Sequence, residues 1–196
     1  MKIEAVIFDL DGTITEPFLD FDQMRSEMGL VKEDGPLWEA MTKLDARRRQ
    51  ETERILDRHE QLAIENSTLN IGVRQTITKL KELAIKSGIL TRNTAKNAHS
   101  VLKKHNLQFD AVIGREDGPI KPDPFGVLQL CRSFGTEPAK TLVVGDYLYD
   151  LISAINAGAI GVLLKNHPQA DDFAKHAAFV INRIDELIAI IENNNA

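Results

Sequence analysis

The chain is 196 residues long, with 43% apolar and 27% charged residues and a formal net charge of −5. That length allows one domain, or one core with a smaller insertion, and excludes a long multidomain array; the apolar fraction is enough for a packed core and excludes a disordered chain. With 24 Lys and Arg against 29 Asp and Glu, there is no basic footprint for nucleic acid or an anionic membrane, so a small-molecule partner is expected.

The single cysteine, Cys131, cannot form an internal disulfide, and the first ten residues hold too short an apolar stretch for a secretory signal. A reducing cytoplasmic location is therefore expected. No run reaches the roughly 18 apolar residues of a membrane-spanning helix.

In chain order, the first element is the apolar run 3–8, read as a strand that ends on Asp9, Leu10, Asp11, Gly12 and Thr13. Residues 17–70 follow without a convincing strand and read as an inserted helical unit, with Leu37, Met41, Leu44, Ile55, Leu56 and Leu62 at roughly helical intervals. Within it, Asp45 and Arg49 are spaced as a favourable i,i+4 pair, so the basic run Arg47, Arg48 and Arg49 reads as a solvated helix face. From residue 73 the chain alternates. Helical patterns over 73–86, 95–105, 124–134, 148–157 and 184–191 are interleaved with short apolar runs at 88–90, 111–113, 142–144, 160–164 and, as a possible sixth strand, 179–181. Runs that are apolar on both faces and alternate with helices indicate parallel strands covered on both sides. The expected fold is α/β, a Rossmann-like doubly wound parallel sheet formed by 1–16 and 71–196, interrupted after its first strand by the helical insertion.

Polar residues at the strand ends carry the chemistry, because ligands of open α/β sheets bind beyond the carboxyl ends of the strands. Asp9 and Asp11 end the first strand, and the run 142–144 delivers Asp146 and Asp150 to the same edge. Taken alone, two acids at this spacing also suit a turn or a helix cap. Four converging carboxylates repel one another unless a cation sits among them. Oxygen ligands without a His or Cys cluster favour Mg²⁺. Thr91, directly after the run 88–90, offers a hydroxyl and following amides to a phosphate; Thr91 or Asn93 could equally cap the next helix. Lys121, before Pro122, offers a cation to a phosphoryl oxygen, or is an ordinary solvated lysine.

Taken together and in order, DLDGT, GILTRN, IKPDP and GDYLYD resemble the four motifs of the haloacid dehalogenase superfamily, particularly its aspartate-nucleophile phosphatases of the phosphoglycolate phosphatase type. The resemblance implies that Asp9 is the nucleophile and Asp11 the proton donor and acceptor. It implies that Asp9, the carbonyl of Asp11 and Asp146 hold Mg²⁺ with Asp150 in support, and that Thr91 and the amides near Gly12 and Arg92 bind phosphoryl oxygens. Lys121 would neutralise charge, and residues 17–70 would be a helical cap over a small phosphorylated metabolite. Asp11 is absent from dehalogenating members, which favours phosphoryl transfer, and Tyr147 stands where such phosphatases often carry a small polar residue. The stretch Thr15, Glu16, Pro17 lacks the histidine of related sugar-phosphate mutases, which favours hydrolysis. A phosphomutase and a nonenzymatic phosphoaspartate module are the alternatives.

Overall fold

The computed structural model describes residues 2–195 and comprises two compact units, Phe18–Ser67 and a core made from the segments on either side of it.

The core is built on six parallel strands: β1 (Ala5–Phe8), β2 (Lys86–Leu90), β3 (Ala111–Ile113), β4 (Thr141–Gly145), β5 (Ile160–Leu164) and β6 (Phe179–Ile181), arranged β3-β2-β1-β4-β5-β6. The expected α/β sheet is present, with the sixth strand at its edge. All four residues of β1 are fully buried, which explains its unbroken apolar run, since a central strand in a sheet covered on both faces has no solvent side. The chain adds β2 and β3 on one side of β1 and then β4 to β6 on the other, so the order reverses at β1. That reversal leaves a crevice at the carboxyl ends of β1 and β4.

The insertion follows β1 and contains α1 (Phe21–Met28), α2 (Leu37–Thr42) and α3 (Ala46–Asn66). Its own core gathers Met24, Met28, Leu37, Met41 and Leu56, with Leu44 and Ile55 packed against it; of the six positions expected at helical intervals, Leu62 is exposed and lies outside this core. Asp45 does not pair with Arg49. Its carboxylate accepts from the amides of Arg47 and Arg48 as the N-cap of α3, while Arg49 pairs with Glu53 at 2.9 Å. An acid placed immediately before a helix satisfies its unpaired amides, and this outweighs an exposed ion pair.

The remaining helices are α4 (Val73–Glu82), α5 (Ala95–Lys104), α6 (Phe125–Phe134), α7 (Leu148–Ala157), α8 (Ala170–Phe173) and α9 (Leu187–Asn195). Helix α4 ends four residues before the expected position. Ala84 turns left-handed at φ 55° while the Ile85 amide reaches back to the Leu80 carbonyl, and Lys86 already belongs to β2. The apolar spacing continues through this turn, which is why periodicity extends the helix too far. Helix α6 lies close against β2: a Cβ on Gly88 would stand 2.9 Å from the Phe134 ring and 3.2 Å from Leu130. Ile7, Leu90 and Val143 there share one core with Val127, Leu130, Cys131 and Ala154. Deleting a side chain such as Leu130 from it would cost about 2–5 kcal/mol. No described helix is long and apolar enough to cross a membrane.

Candidate active site

Asp9 is the first residue beyond β1 and is held in register by its amide, which donates to the Val144 carbonyl at 2.9 Å. Asp146 follows β4 directly, and Asp150 lies in the first turn of α7. Each of the three offers a carboxylate oxygen within 4.8 Å of the other two. Sequence positions 9, 146 and 150 therefore meet at the carboxyl edge of two neighbouring strands. Asp11 is turned aside from this trio, and its Oδ2 accepts from Asn93 Nδ2 at 3.2 Å. The four expected acids thus arrive as three crowded carboxylates and a fourth with a separate partner.

Lys121 is buried between two of them. Its Nζ donates to Asp9 Oδ1 and to Asp150 Oδ1, both at 2.6 Å. Burial alone would lower the ammonium pKa, but the Asp150 and Asp9 charges outweigh it and hold it above the ordinary lysine value. Burial pushes Asp150 up to about 6, with Lys121 pulling it back and Asp9 adding to the rise. Asp146 is pushed up to about 8, by burial first and then by Asp9 and Asp150, against a 3.2 Å hydrogen bond from the Thr13 hydroxyl. Among the described residues no cation pairs with Asp146. An all-oxygen donor set with one buried acid held this far above its normal value suits a divalent cation, which would relieve the repulsion.

Glycines allow these acids to pack. Gly12 sits at φ 88°, and a Cβ there would be 2.8 Å from the Asp146 carboxylate carbon. A Cβ on Gly145 would fall on the Asp150 carboxylate. Only glycine meets both requirements at position 12, a left-handed backbone and an acid at van der Waals contact.

Thr91, buried at the end of β2, accepts at Oγ1 from the Asn93 amide at 2.9 Å, while its own amide donates to Ile113. Neither Thr91 nor Asn93 is the N-cap of α5. Thr94 takes that role, accepting from the Asn97 amide. The Arg92 side chain donates to the Lys121 carbonyl at 2.9 Å and lies 4.8 Å over the Tyr149 ring, bracing the segment that carries Lys121. Tyr147 is part of an aromatic group, with Tyr149, His167 and Phe173 edge-on at 5.0–5.1 Å.

A family model described as haloacid dehalogenase-like hydrolase matches residues 6–163, which include the crowded acids, Lys121 and Gly12. The chain belongs to the haloacid dehalogenase-like hydrolase family. This hydrolase is 28% identical over 203 residues to an uncharacterized hydrolase of Saccharomyces cerevisiae, covering 98% of the present chain and 93% of the yeast protein. It is also 28% identical over 220 residues to the pyrophosphatase PpaX of Bacillus cereus, covering 100% and 99%. Its fold matches the crystal structure of a predicted phosphoglycolate phosphatase from Haemophilus somnus with a TM-score of 0.74 at 21% identity, covering 97% and 98%. Phosphatases of this family generally use a divalent metal, and the hydrolase has an acidic cluster of the corresponding kind.

Four polar residues to which the sequence assigned no part in the chemistry complete the site: Thr13, which it placed only in the turn after the first strand, Asn93, which it offered as a helix cap, and Asn70 and Asn166, which it did not single out. Thr13 bonds to Asp146, and Asn93 to Asp11. Asn70 donates from Nδ2 to the carbonyls of Gly12, Thr13 and Thr15 at 2.9–3.0 Å, and Asn166 donates to Gly12 at 2.8 Å. These amides fix the turn after β1. Nothing local marks Asn70 or Asn166, since each looks like a loop asparagine.

Proposed function

We propose that this hydrolase is a Mg²⁺-dependent phosphatase of small phosphorylated metabolites that carries the phosphoryl group on Asp9. The observation that carries the reading is the difference among the buried acids. The Asp9 side chain is 12% exposed against 3% for Asp150. Lys121 holds its Oδ1, and among the described residues Oδ2 has no hydrogen-bond partner. One carboxylate oxygen is thus held and the other is open to a substrate.

In this reading Asp9 Oδ2 attacks phosphorus as the bond to the leaving oxygen breaks, and Asp11 delivers its proton to that oxygen. Asp11 then takes a proton from the water that cleaves the aspartyl phosphate, releasing inorganic phosphate and restoring both acids. Lys121 opposes the negative charge on Asp9 and the transferring group, and the Thr91 hydroxyl with amides near Gly12 and Arg92 orients the phosphoryl oxygens. Asp9, Asp146 and the Asp11 carbonyl would hold the metal with Asp150 in support. When bound, the metal supplies positive charge against the phosphoryl oxygens. The helical unit, inserted where the family carries its cap, is in this reading the cap that selects the substrate. Neither nucleic acid nor membrane is needed, and a buried, unpaired Cys131 suits a reducing cytoplasm.

The test is a panel of phosphate monoesters, including phosphoglycolate and sugar phosphates, with inorganic pyrophosphate added because a relative is named a pyrophosphatase. The panel is run with Mg²⁺ beside Asp9→Asn. Wild-type turnover with metal-dependent phosphate release is expected, reduced about 10³-fold or more in the variant. Wild-type turnover retained by Asp9→Asn would refute covalent catalysis at this residue, and inertness of the wild type on every compound would refute the phosphatase reading.

A further inference from the structure

Asn93 is buried and every polar group on it has a partner. Its amide donates to Thr91 Oγ1 at 2.9 Å, and its backbone carbonyl accepts from the Arg115 amide at 2.9 Å. Its side-chain Oδ1 accepts from the Thr94 amide at 2.8 Å and from Asn97 Nδ2 at 2.9 Å. The orientation of the carboxamide is therefore determined. The Thr94 amide is a fixed backbone donor, so exchanging oxygen and nitrogen would set one donor against another at 2.8 Å and leave a buried N–H unpaired. With Oδ1 committed to the start of α5, Nδ2 can only face away from the helix, and there it meets Asp11 Oδ2 at 3.2 Å.

The same asparagine thus joins two strand ends. Through Thr91 and Thr94 it is anchored to the turn between β2 and α5, and through Nδ2 it grips the carboxylate that leaves the turn after β1. Asp11 sits beside Gly12, which has a left-handed backbone at φ 88° and no room for a Cβ against Asp146. Asn93 supplies a second, side-chain constraint that turns Asp11 away from the Asp9, Asp146 and Asp150 cluster. A carboxyl that must hand a proton to a leaving oxygen has to be kept out of the metal-binding cluster and held in one rotamer, because misplacement by about 1 Å can cost on the order of 10²-fold in rate.

We propose that Asn93 is the positioning residue for the proton-donating carboxyl of Asp11, holding it for substrates whose leaving oxygen needs a proton. This rests on the phosphatase reading above. It makes Asn93 matter for alkyl phosphates, whose alkoxide is a poor leaving group, far more than for aryl phosphates, whose phenolate departs unprotonated.

The test compares kcat/KM for glycerol phosphate and 4-nitrophenyl phosphate in wild type, Asn93→Asp, Asn93→Ser and Asp11→Asn. Asn93→Asp keeps the size and the oxygen that faces Thr94 while removing the donor. This constant reports only the steps through departure of the alcohol, so later hydrolysis of the aspartyl phosphate does not enter. The ratio of aryl to alkyl kcat/KM is expected to rise about 10- to 100-fold in Asn93→Asp, in the same direction as in Asp11→Asn, and to rise less in Asn93→Ser. Equal losses on both esters, or no loss on either, would overturn the positioning role. If Asp11→Asn raises the ratio and the Asn93 variants do not, the phosphatase reading stands and the inference falls. If Asp11→Asn leaves the ratio unchanged, Asp11 is not the proton donor and the inference falls with that role, while the phosphatase reading falls only if the wild type releases no phosphate from either ester. Should Asn93→Asp unfold, Asn93→Ser carries the test without an added charge: its ratio should still rise in the direction of Asp11→Asn, by a smaller factor, and an unchanged ratio would overturn the positioning role.

Discussion

Replacing Asp146 by Asn tests the crowding of the acids without substrate. Asp146 is raised from 3.8 to about 8 in the folded protein, whereas the unfolded chain has an ordinary aspartate near 3.9. A folded pKa above the unfolded one means that the unfolded state releases the proton first. Stability is therefore lost as pH rises from about 4 to about 8, and is level above that. At 1.36 kcal/mol per unit, the three units between pH 5 and pH 8 amount to about 4 kcal/mol. For a protein of this size that corresponds to roughly 8–16 °C in Tm. Asn at this position can still accept from the Thr13 hydroxyl, which now bonds to Asp146 Oδ1 at 3.2 Å, but it cannot ionise. In EDTA, the Tm of Asp146→Asn minus that of wild type should therefore climb by about 10 °C between pH 5 and pH 8. Mg²⁺ at pH 8 should raise the wild-type Tm and leave the variant unmoved, because a cation that binds only the folded acids stabilises by mass action. Two unfolding curves that stay parallel from pH 5 to pH 9 would refute the argument that Asp146 is held protonated by burial and its neighbours.

Lys121→Met leaves Asp9 and Asp150 without their shared cation, an unpaired buried charge that costs about 3–5 kcal/mol. The deficit, measured by urea unfolding in EDTA, should be largest near pH 8 and shrink toward pH 5 as Asp150 takes up a proton; a deficit that grows on acidification would contradict this. Gly12→Ala forces an L residue into the φ 88° backbone, costing about 1–2 kcal/mol, and drives its methyl into Asp146. A lowered Tm and loss of the Mg²⁺-dependent Tm increase are expected, and thermal shift with and without the metal measures both. The Asp9→Asn loss of turnover and the leaving-group selectivity of Asn93→Asp complete the set.

The order of strands and helices was legible in the chain itself because it depends on near-neighbour chemistry. A strand buried on both faces, such as β1, is apolar throughout, so a polar residue that follows it at the crevice stands out in the chain. Asp9 and Asp146 stood out for that reason. What periodicity misplaced was punctuation: the end of α4 lies in the left-handed turn at Ala84, and Asp45 satisfies helix amides instead of an arginine. The Asp11 to Asn93 contact, the bracing of Lys121 by Arg92 and the convergence of Asn70 and Asn166 on the Gly12 carbonyl belong to the tertiary structure alone. So does the pKa of Asp146. Each depends on the direction of a side chain toward a residue tens to more than a hundred positions away, and on water being excluded where they meet. The linear sequence determines which groups are available at each strand end, while packing decides which of them share a proton, a charge or a hydrogen bond.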